Sequence, residues 1–203
     1  MFSQSWRLGE SDNALNRFYF RLRSGVNRQL SEWLARNAFF GNDLMVLEAG
    51  CGLAEGSQML ASMPQVRLSV ALDLDPEALK LAREQSSGVS LVRGDLFRLP
   101  FKPGAFDLVW NNSTFEHFHD RAKVIHEMIH VTKGGGRVFI GVPYRRGPLF
   151  FQRWIARTGL GEWIGPLFNE RTLAIEMEGA GLTLEKSATF YFKIFIGCLV
   201  RKS

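Results

Sequence analysis

The hydrophobic residues of the chain fall into short continuous runs that alternate with runs at helical spacing. Five short apolar runs are typical of strands, at residues 44–50, 66–74, 89–95, 106–111 and 136–142. Runs with helical spacing lie between several of them, including residues 76–85 and 120–131. Alternating strands and helices predict a parallel sheet that is covered by helices on both faces.

The end of the chain breaks this alternation. Residues 181–190 and 191–202 are two strand-like runs with almost nothing between them. Strands joined so closely pair antiparallel, because a parallel partner needs a long crossover. We therefore predict a single α/β domain with a doubly wound, seven-stranded, mostly parallel sheet and a C-terminal antiparallel hairpin. The last helix and this hairpin occupy residues 169–203.

A helix is predicted ahead of the first strand, over residues 12–37. Its apolar residues recur at helical spacing and its arginines lie on another face; the two sets are Phe18, Leu22, Val26, Leu30 and Trp33, and Arg17, Arg21 and Arg28. Gly25 weakens the helical pattern. We assign residues 1–43 to an N-terminal helical cap. Packing on the sheet with a solvated basic side is the favoured interpretation, and a cap over the active site is the alternative.

Composition limits the class of protein. The 203 residues are 46% hydrophobic, which fits one globular domain with a real core. Cys51 and Cys198 make no disulfide framework, and no apolar run resembles a signal peptide or a spanning helix. We predict a cytoplasmic location. The net charge of +5 permits an anionic partner or membrane surface without requiring one.

The stretch "VLEAGCGLAEG" at residues 46–56 contains the end of the first predicted strand and a glycine-rich turn. In doubly wound folds ligands bind beyond the carboxyl ends of the strands, and glycines there let the backbone approach a ligand. Gly50 and Gly52 supply this turn. A dinucleotide fingerprint needs a third glycine at position 55, which is Glu55. A carboxylate there repels a pyrophosphate, so NAD and FAD are disfavoured.

Acidic residues end three successive predicted strands, at Glu48, Asp73 and Asp95. Because the carboxyl ends of parallel strands meet at one edge, we expect these carboxylates to share a crevice. They suit a ligand with positive charge and many hydrogen-bond donors. S-adenosylmethionine offers an amine, ribose hydroxyls and an adenine amino group, and it carries no phosphate.

The sequence here resembles the class I S-adenosylmethionine-dependent methyltransferases, in particular the small-molecule branch typified by quinone-biosynthesis enzymes. The resemblance covers residues 44–143. It rests on five stretches in family order: "VLEAGCG", "ALDLDPEALKLAR", "VRGDLFRLPF", "FDLVWNNSTFEHFHD" and "EMIHVTKGGGRVFIGVP". The resemblance implies a Rossmann-like fold and methyl transfer from S-adenosyl-L-methionine, with S-adenosyl-L-homocysteine as the product.

The resemblance also implies roles for particular residues. The methionine end of the cofactor is assigned to the turn after the first strand, at Glu48, Gly50, Cys51 and Gly52. Asp73 would take the ribose hydroxyls, with Leu74 against the adenine. Asp95 and Leu96 would meet the adenine edge, and Asn111 would lie near the sulfonium.

Two positions depart from the family pattern. Ala54 stands where the family often has a third glycine, and we expect it in a turn without positive φ. Gly134 replaces a proline between the fifth helix and its strand, and a glycine there still lets the helix turn into a strand.

Residues 126–130, "HEMIH", match the helical zinc signature H-E-x-x-H. On a helix over residues 120–131, His126 and His130 lie opposite the apolar side formed by Ile125, Met128 and Ile129. The histidines therefore face water, and no histidine follows His130 to complete a site. We expect no metal.

Methyl transfer requires a base only if the acceptor must lose a proton. The candidates are His117, His119 and Tyr144, and we assign His117 as the catalytic residue. A loop histidine that only binds backbone is the alternative. Residues 111–114, "NNST", lack the run that methylases of nucleobase amines carry, and they lack the acidic pair expected of aminopropyl-transfer enzymes. No specific nucleic-acid partner is expected.

Residues 144–168 carry the densest aromatic content of the chain and four arginines. A lid over the acceptor is the favoured interpretation. Peripheral membrane contact and a packed element or homodimer contact are the alternatives. The predicted function is methyl transfer to a small, apolar or aromatic acceptor. A non-catalytic S-adenosylmethionine-binding partner subunit of the same fold, or a protein or peptide methyltransferase, remains the alternative.

Overall fold

A seven-stranded sheet organises the chain. The structure, a computed structural model, describes residues 14–148, 165–180 and 182–202, with side chains from residue 21 onward except residue 22. The strands are β1 Leu44–Ala49, β2 Val66–Asp73, β3 Val89–Arg93, β4 Phe106–Asn112, β5 Thr132–Pro143, β6 Thr183–Phe190 and β7 Phe195–Arg201. Their order across the sheet is β3-β2-β1-β4-β5-β7-β6.

Helices cover both faces of this sheet. They are α1 Ala14–Ala38, α2 Glu55–Ala61, α3 Pro76–Gln85, α4 Arg121–Val131 and α5 Glu170–Gly179, with a short 3-10 helix at Phe115–His117. Among these described helices, none combines the length and the apolar character that crossing a membrane requires.

The sheet has the predicted topology. β1 to β5 pair in parallel, and β7 pairs antiparallel with both β5 and β6. The strand order reverses at β1 and β4, so a crevice opens between their carboxyl ends. Pro143 at the end of β5 pairs with Phe195 at the start of β7. The turn between β6 and β7 therefore reaches the same edge as this crevice.

Two apolar layers hold the helices on the sheet. On one face α4 packs through Ile125 and Met128 into the larger core cluster, where both side chains are fully buried. On the other face α1 packs through Leu30 and Leu34 against Phe139 and its neighbours. The prediction of a single α/β domain with a C-terminal hairpin is confirmed.

β5 begins earlier than the sequence pattern indicated. We predicted the strand from residue 136, whereas α4 runs directly into a strand that begins at Thr132. The register of β4 with β5 shifts between Phe106 and Leu108, and the glycine stretch at residues 134–136 takes up the extra length. Glycines have no side chain to show the alternation of a strand, so the pattern missed this bulged start.

The observed helix α1 confirms the predicted helix, and its packing explains why it contains Gly25. Val26 and Leu30 are buried, and Trp33 packs its ring 5.6 Å from the rings of both Phe139 and Phe190. A Cβ at Gly25 would collide with the ring of Tyr191 in the turn between β6 and β7. The residue that weakened the helical pattern is the point of close approach between α1 and that turn.

The turn between β6 and β7 is strained. Tyr191, Phe192 and Lys193 have φ of 45°, 54° and 61°, and each such left-handed L-residue costs about 1–2 kcal/mol. The backbone N–H of Tyr191 donates to Gln29 Oε1 at 2.7 Å. α1 therefore holds the strained turn through the Tyr191 ring and backbone.

Close packing at Gly197 gives a test of the sheet. The Phe139 ring occupies the space that a Cβ at Gly197 would need. We expect Gly197→Ala to lower the free energy of unfolding by about 1–3 kcal/mol through overpacking. Gly134→Ala is the matched control, since nothing lies within 4 Å of its added Cβ. Urea unfolding measures both; equal stability of the two variants would contradict the packing described here.

Candidate active site

The turn after β1 is tied by its backbone to the end of β2. The N–H groups of Gly50 and Cys51 donate to Leu72 O at 2.8 and 3.0 Å, and Gly52 N–H donates to Asp73 Oδ2 at 2.7 Å. Gly50 and Gly52 have φ of 85° and 52°, in the region that glycine adopts without cost. The two predicted glycines thus form the turn, and Asp73 fixes it.

Ala54 corrects one expectation. We expected a turn without positive φ, but Ala54 is left-handed, with φ 56° and ψ 22°. Its carbonyl oxygen accepts from Gln58 N–H at 2.9 Å, which places it as the N-cap of α2. The left-handed conformation costs about 1–2 kcal/mol, and burial of the methyl group offsets about 0.8 kcal/mol of that.

Glu48 lies beneath this turn. Its Oε2 accepts hydrogen bonds from Ser57 N–H at 2.9 Å and from Ser57 Oγ at 2.5 Å. Burial raises the pKa of Glu48 to about 8, although the bond from the Ser57 side chain and the charge of Arg23 favour the ionised form. A cationic group of a ligand would favour ionised Glu48 further.

Asp73 keeps capacity for a ligand. Its Oδ1 accepts from Asp75 N–H at 3.0 Å and its Oδ2 from Gly52 N–H. A carboxylate has about four acceptor positions, so about two remain for hydroxyl donors. The cap of α3 is Asp75, which accepts from Glu77 N–H at 2.9 Å. Asp73 is therefore not needed as the helix cap.

The third strand end lies beside the second. Gly94 N–H donates to Asp73 O at 3.0 Å, and the next residue, Asp95, is exposed and accepts from Phe97 N–H at 2.9 Å. Leu96 is buried in the larger core cluster, whereas Leu74 is half-buried. Asp95 and Leu74 thus have exposed surface at the predicted adenine side, and the Leu96 side chain has almost none.

Two of the predicted cofactor-binding residues, Asn111 and Cys51, are engaged in contacts within the protein. Asn111 is buried; its Nδ2 donates to Ala49 O, and its Oδ1 accepts from Phe115 N–H at 2.9 Å. Burial raises the pKa of the Cys51 thiol well above its usual value. Asn111 therefore clamps the end of β1 to the 3-10 helix, and Cys51 remains a packed thiol.

The segment after β4 packs on the glycine turn. Thr114 Oγ1 donates to Gly50 O at 3.2 Å, and a Cβ at Gly50 would lie 2.8 Å from Thr114 Cγ2. Glu116 and His117 follow in the 3-10 helix. The segment that carries the predicted base His117 therefore contacts the glycine turn through Thr114.

Glu116 was missed by sequence reasoning. Its side chain is 1% exposed, its Oε1 lies 3.9 Å from His117 Nε2, and its Oε2 has no hydrogen-bond partner among the described residues. Burial raises the pKa of Glu116 to about 8 and lowers the pKa of His117. The adjacent "EH" pair was the available signal, but burial of its glutamate is a tertiary property.

The other base candidates have different environments. Tyr144 donates its hydroxyl to Glu170 Oε1, and this bond is the main cause of a raised Tyr144 pKa. His119 is exposed and lies with its ring 5.8 Å from that of Phe97. Of the three candidates, His117 is the one with a buried carboxyl as its neighbour, and it follows Thr114, which contacts the glycine turn.

The "HEMIH" histidines lie on the exposed side of α4. His126 and His130 are exposed, and Glu127 Oε2 accepts from Leu99 N–H at 2.9 Å. In the part of the chain that the structure describes, no three potential metal ligands come together. The predicted orientation of the two histidines is confirmed.

The segment at residues 144–168 is described only at its ends, because residues 149–164 lie outside the described residues. Phe168 N–H donates to Pro143 O at 2.9 Å, and Arg145 N–H donates to Phe168 O at 2.6 Å. A Cβ at Gly165 would lie 3.1 Å from Glu116 Cγ and from the His117 ring. The two described ends of the segment are therefore joined to each other, and the returning end passes beside the Glu116–His117 pair.

Comparison with known families identifies the core of the chain. Residues 47–140 match a family described as "Methyltransferase domain". Over these residues the chain is similar to the class I S-adenosylmethionine-dependent methyltransferases. The resemblance to this family and its quinone-biosynthesis-like branch is confirmed, and with it the expected cofactor of the methyltransferase domain.

Curated relatives align with the same region. A malonyl-[acyl-carrier protein] O-methyltransferase of Erwinia pyrifoliae is 35% identical over 113 residues, which are 56% of this chain and 42% of the relative. The chloroplastic tocopherol O-methyltransferase of Arabidopsis thaliana is 34% identical over 101 residues, which are 47% of this chain and 29% of the relative. The chain thus spans less than half the length of these two relatives.

Solved structures share the fold of the methyltransferase domain. The magnesium protoporphyrin IX methyltransferase of Synechocystis, solved with bound S-adenosylhomocysteine, superposes with a TM-score of 0.74. The alignment covers 98% of this chain and 93% of that one at 14% identity. At this identity the likeness shows the Rossmann-like methyltransferase fold.

Burial of Glu116 predicts a pH effect on stability. Its pKa is about 8 when folded and near 4.5 when unfolded, so its stabilising contribution is full below pH 4.5 and is lost as pH rises through 8. Glu48 acts in the same direction. From pH 5.5 to pH 8.5, the free energy of unfolding of the wild type should fall by roughly 2–3 kcal/mol more than that of Glu116→Gln.

Urea unfolding at the two pH values measures this difference. Glu178→Gln, at an exposed position of α5, serves as the control and should follow the wild type within about 0.5 kcal/mol. Parallel pH profiles for Glu116→Gln and wild type would show that Glu116 is not held in a desolvated site.

Proposed function

We propose that the protein transfers a methyl group from S-adenosylmethionine to a small, apolar or aromatic acceptor. One observation carries this proposal: the glycine turn fixed by Asp73 packs directly on the segment that holds Glu116 and His117. A cofactor held by the turn and an acceptor at the Glu116–His117 pair would then be neighbours at one edge of the sheet.

The residues present fit the cofactor. Gly50 and Gly52 let Thr114 and Arg23 approach the turn closely, and Asp73 keeps about two acceptor positions for ribose hydroxyls. Glu48 suits an ammonium group, because a cation compensates its burial. When bound, S-adenosylmethionine supplies a methyl group on a sulfonium whose sulfur leaves as a neutral thioether.

The task of the protein is then to position the acceptor and to manage its proton. Burial lowers the pKa of His117 and so favours the neutral ring, whose free nitrogen is able to accept a proton. Glu116 stands next to it and favours the protonated ring when it is ionised. We assign His117 as the general base for an acceptor that carries a hydroxyl or an ammonium group.

Residues 144–168 are proposed to select the acceptor. The described ends of this segment are joined by hydrogen bonds, Gly165 lies beside Glu116 and His117, and the sequence of the segment is rich in aromatic residues. Burying an aromatic side chain contributes about 1.5–3 kcal/mol, which is enough to favour an apolar acceptor.

Asp73 gives the direct test of cofactor binding. We expect Asp73→Ala to weaken binding of S-adenosylhomocysteine by at least about 10-fold, because charge-assisted hydrogen bonds are worth about 1.5–3 kcal/mol each. Isothermal titration calorimetry measures this. Asp75→Ala, which removes the cap of α3, should cost about 1 kcal/mol of stability and leave the affinity within a few-fold. Equal affinities of Asp73→Ala and wild type would refute the assignment.

Replacement of residues 149–164 tests the division between cofactor and acceptor. A short Gly-Ser loop there should leave the affinity for S-adenosylhomocysteine within a few-fold and abolish methyl transfer. Turnover is found first by screening phenols, quinols, fatty acids and small amines with a homocysteine-release assay. Loss of cofactor binding in a folded loop variant would assign the segment to the cofactor site. Cofactor binding without turnover on any acceptor would favour the non-catalytic subunit.

A further inference from the structure

A polar strip on α1 consists of Arg23, Ser24, Asn27 and Ser31. Arg23 faces the turn after β1, and the other three side chains face α2. Asn27 and Ser31 are only 5% and 2% exposed. Burying polar side chains costs free energy unless they are hydrogen-bonded, so a helix whose role was only packing would place apolar residues here. The polar strip is therefore a feature that packing alone does not explain.

Glu55 anchors the polar strip to the first turn of α2. Ser24 Oγ donates to Glu55 Oε1, and Asn27 Nδ2 donates to Glu55 Oε2 at 3.0 Å. Both oxygens of the carboxylate are thus bound by α1. This fixes the rotation of α1 about its axis and the direction in which Arg23 leaves the helix.

Arg23 reaches the glycine turn. A Cβ added at Gly52 would lie 2.9 Å from Arg23 Nη2 and 3.8 Å from Arg23 Cζ. Gly52 has a φ of +52°, and the guanidinium lies where a side chain at that position would begin. The positive charge of Arg23 favours the ionised forms of both Glu48 and Cys51, so the guanidinium belongs to the same crevice. Arg23 also interacts within the protein.

The cofactor assigned to this crevice needs such a cation. S-adenosylmethionine carries an ammonium and a sulfonium, which suit Glu48 and its acidic neighbours, but it also carries a carboxylate. A crevice that presents Glu48, Asp73 and Asp95 repels that carboxylate. The planar fork of an arginine binds carboxylates in a bidentate geometry, which makes Arg23 a suitable partner.

We propose that Arg23 binds the carboxylate of the amino-acid part of the cofactor, so that α1 is a component of the cofactor site. This inference rests on the proposed function, because it needs S-adenosylmethionine or its product in the crevice. In the sequence, the arginines at positions 17, 21 and 28 share a helix face, and Arg23 does not stand out. Its position above Gly52 is visible only in the folded chain.

The experiment compares two ligands that differ only in the carboxylate. S-adenosylhomocysteine and its decarboxylated analogue are titrated by calorimetry into the wild type and into Arg23→Met. The wild type should bind S-adenosylhomocysteine roughly 10- to 100-fold more tightly than the analogue. In Arg23→Met this preference should nearly vanish, through weaker binding of S-adenosylhomocysteine. Arg28→Met, at an exposed position of the same helix, should keep the wild-type preference.

The outcomes separate this inference from the proposed function. Wild-type protein that binds neither ligand would overturn the proposed function itself. If the wild type binds S-adenosylhomocysteine and Arg23→Met keeps the same preference for it, Arg23 does not recognise the carboxylate. Equal weakening of both ligands would also overturn the inference, since it would show that Arg23 only supports the turn. Arg23→Lys, which keeps the charge without the fork, should recover part of the preference.

Discussion

The attachment of the turn after β1 to the end of β2 is the constraint on which the site depends. Three consecutive N–H groups, from residues 50 to 52, are bound to Leu72 O and to the Asp73 carboxylate. Because the turn cannot shift relative to β2, the close approach of Thr114 from one side and Arg23 from the other becomes specific. A looser turn would leave those two groups with no fixed surface to contact.

The residues found from sequence are those whose position follows from local order along the chain. A strand followed by glycines puts those glycines at the sheet edge, and acids at the ends of β1, β2 and β3 lie along the same edge by topology. The fold and the turn at Gly50 and Gly52 were therefore predictable. Their hydrogen-bond partners, such as Asp73 for the Gly52 backbone, were not.

The residues missed from sequence depend on contacts between distant parts of the chain. Glu116 is exceptional because it is buried, and Arg23 because α1 is rotated by the bonds to Glu55. Ala54 is a different case, because its partners Cys51 and Gln58 are local; its left-handed conformation was missed because alanine does not favour it. Local pattern contains no information on burial by a partner more than 30 residues away, so these properties appear only when the elements are assembled.

The contacts between α1 and the β6–β7 hairpin affect the order in which the elements of the chain assemble. α1 is bound by Tyr191 and also through Asn37 Oδ1, which accepts from Lys186 Nζ at 2.9 Å, and both partners lie about 150 residues later in the chain. During synthesis on a ribosome, α1 emerges well before these partners exist. Its full docking must wait for β6 and β7, so closure of this end of the molecule is a late event with a long loop to close. The helix at the start of the described chain is thus among the last elements to be fixed in place.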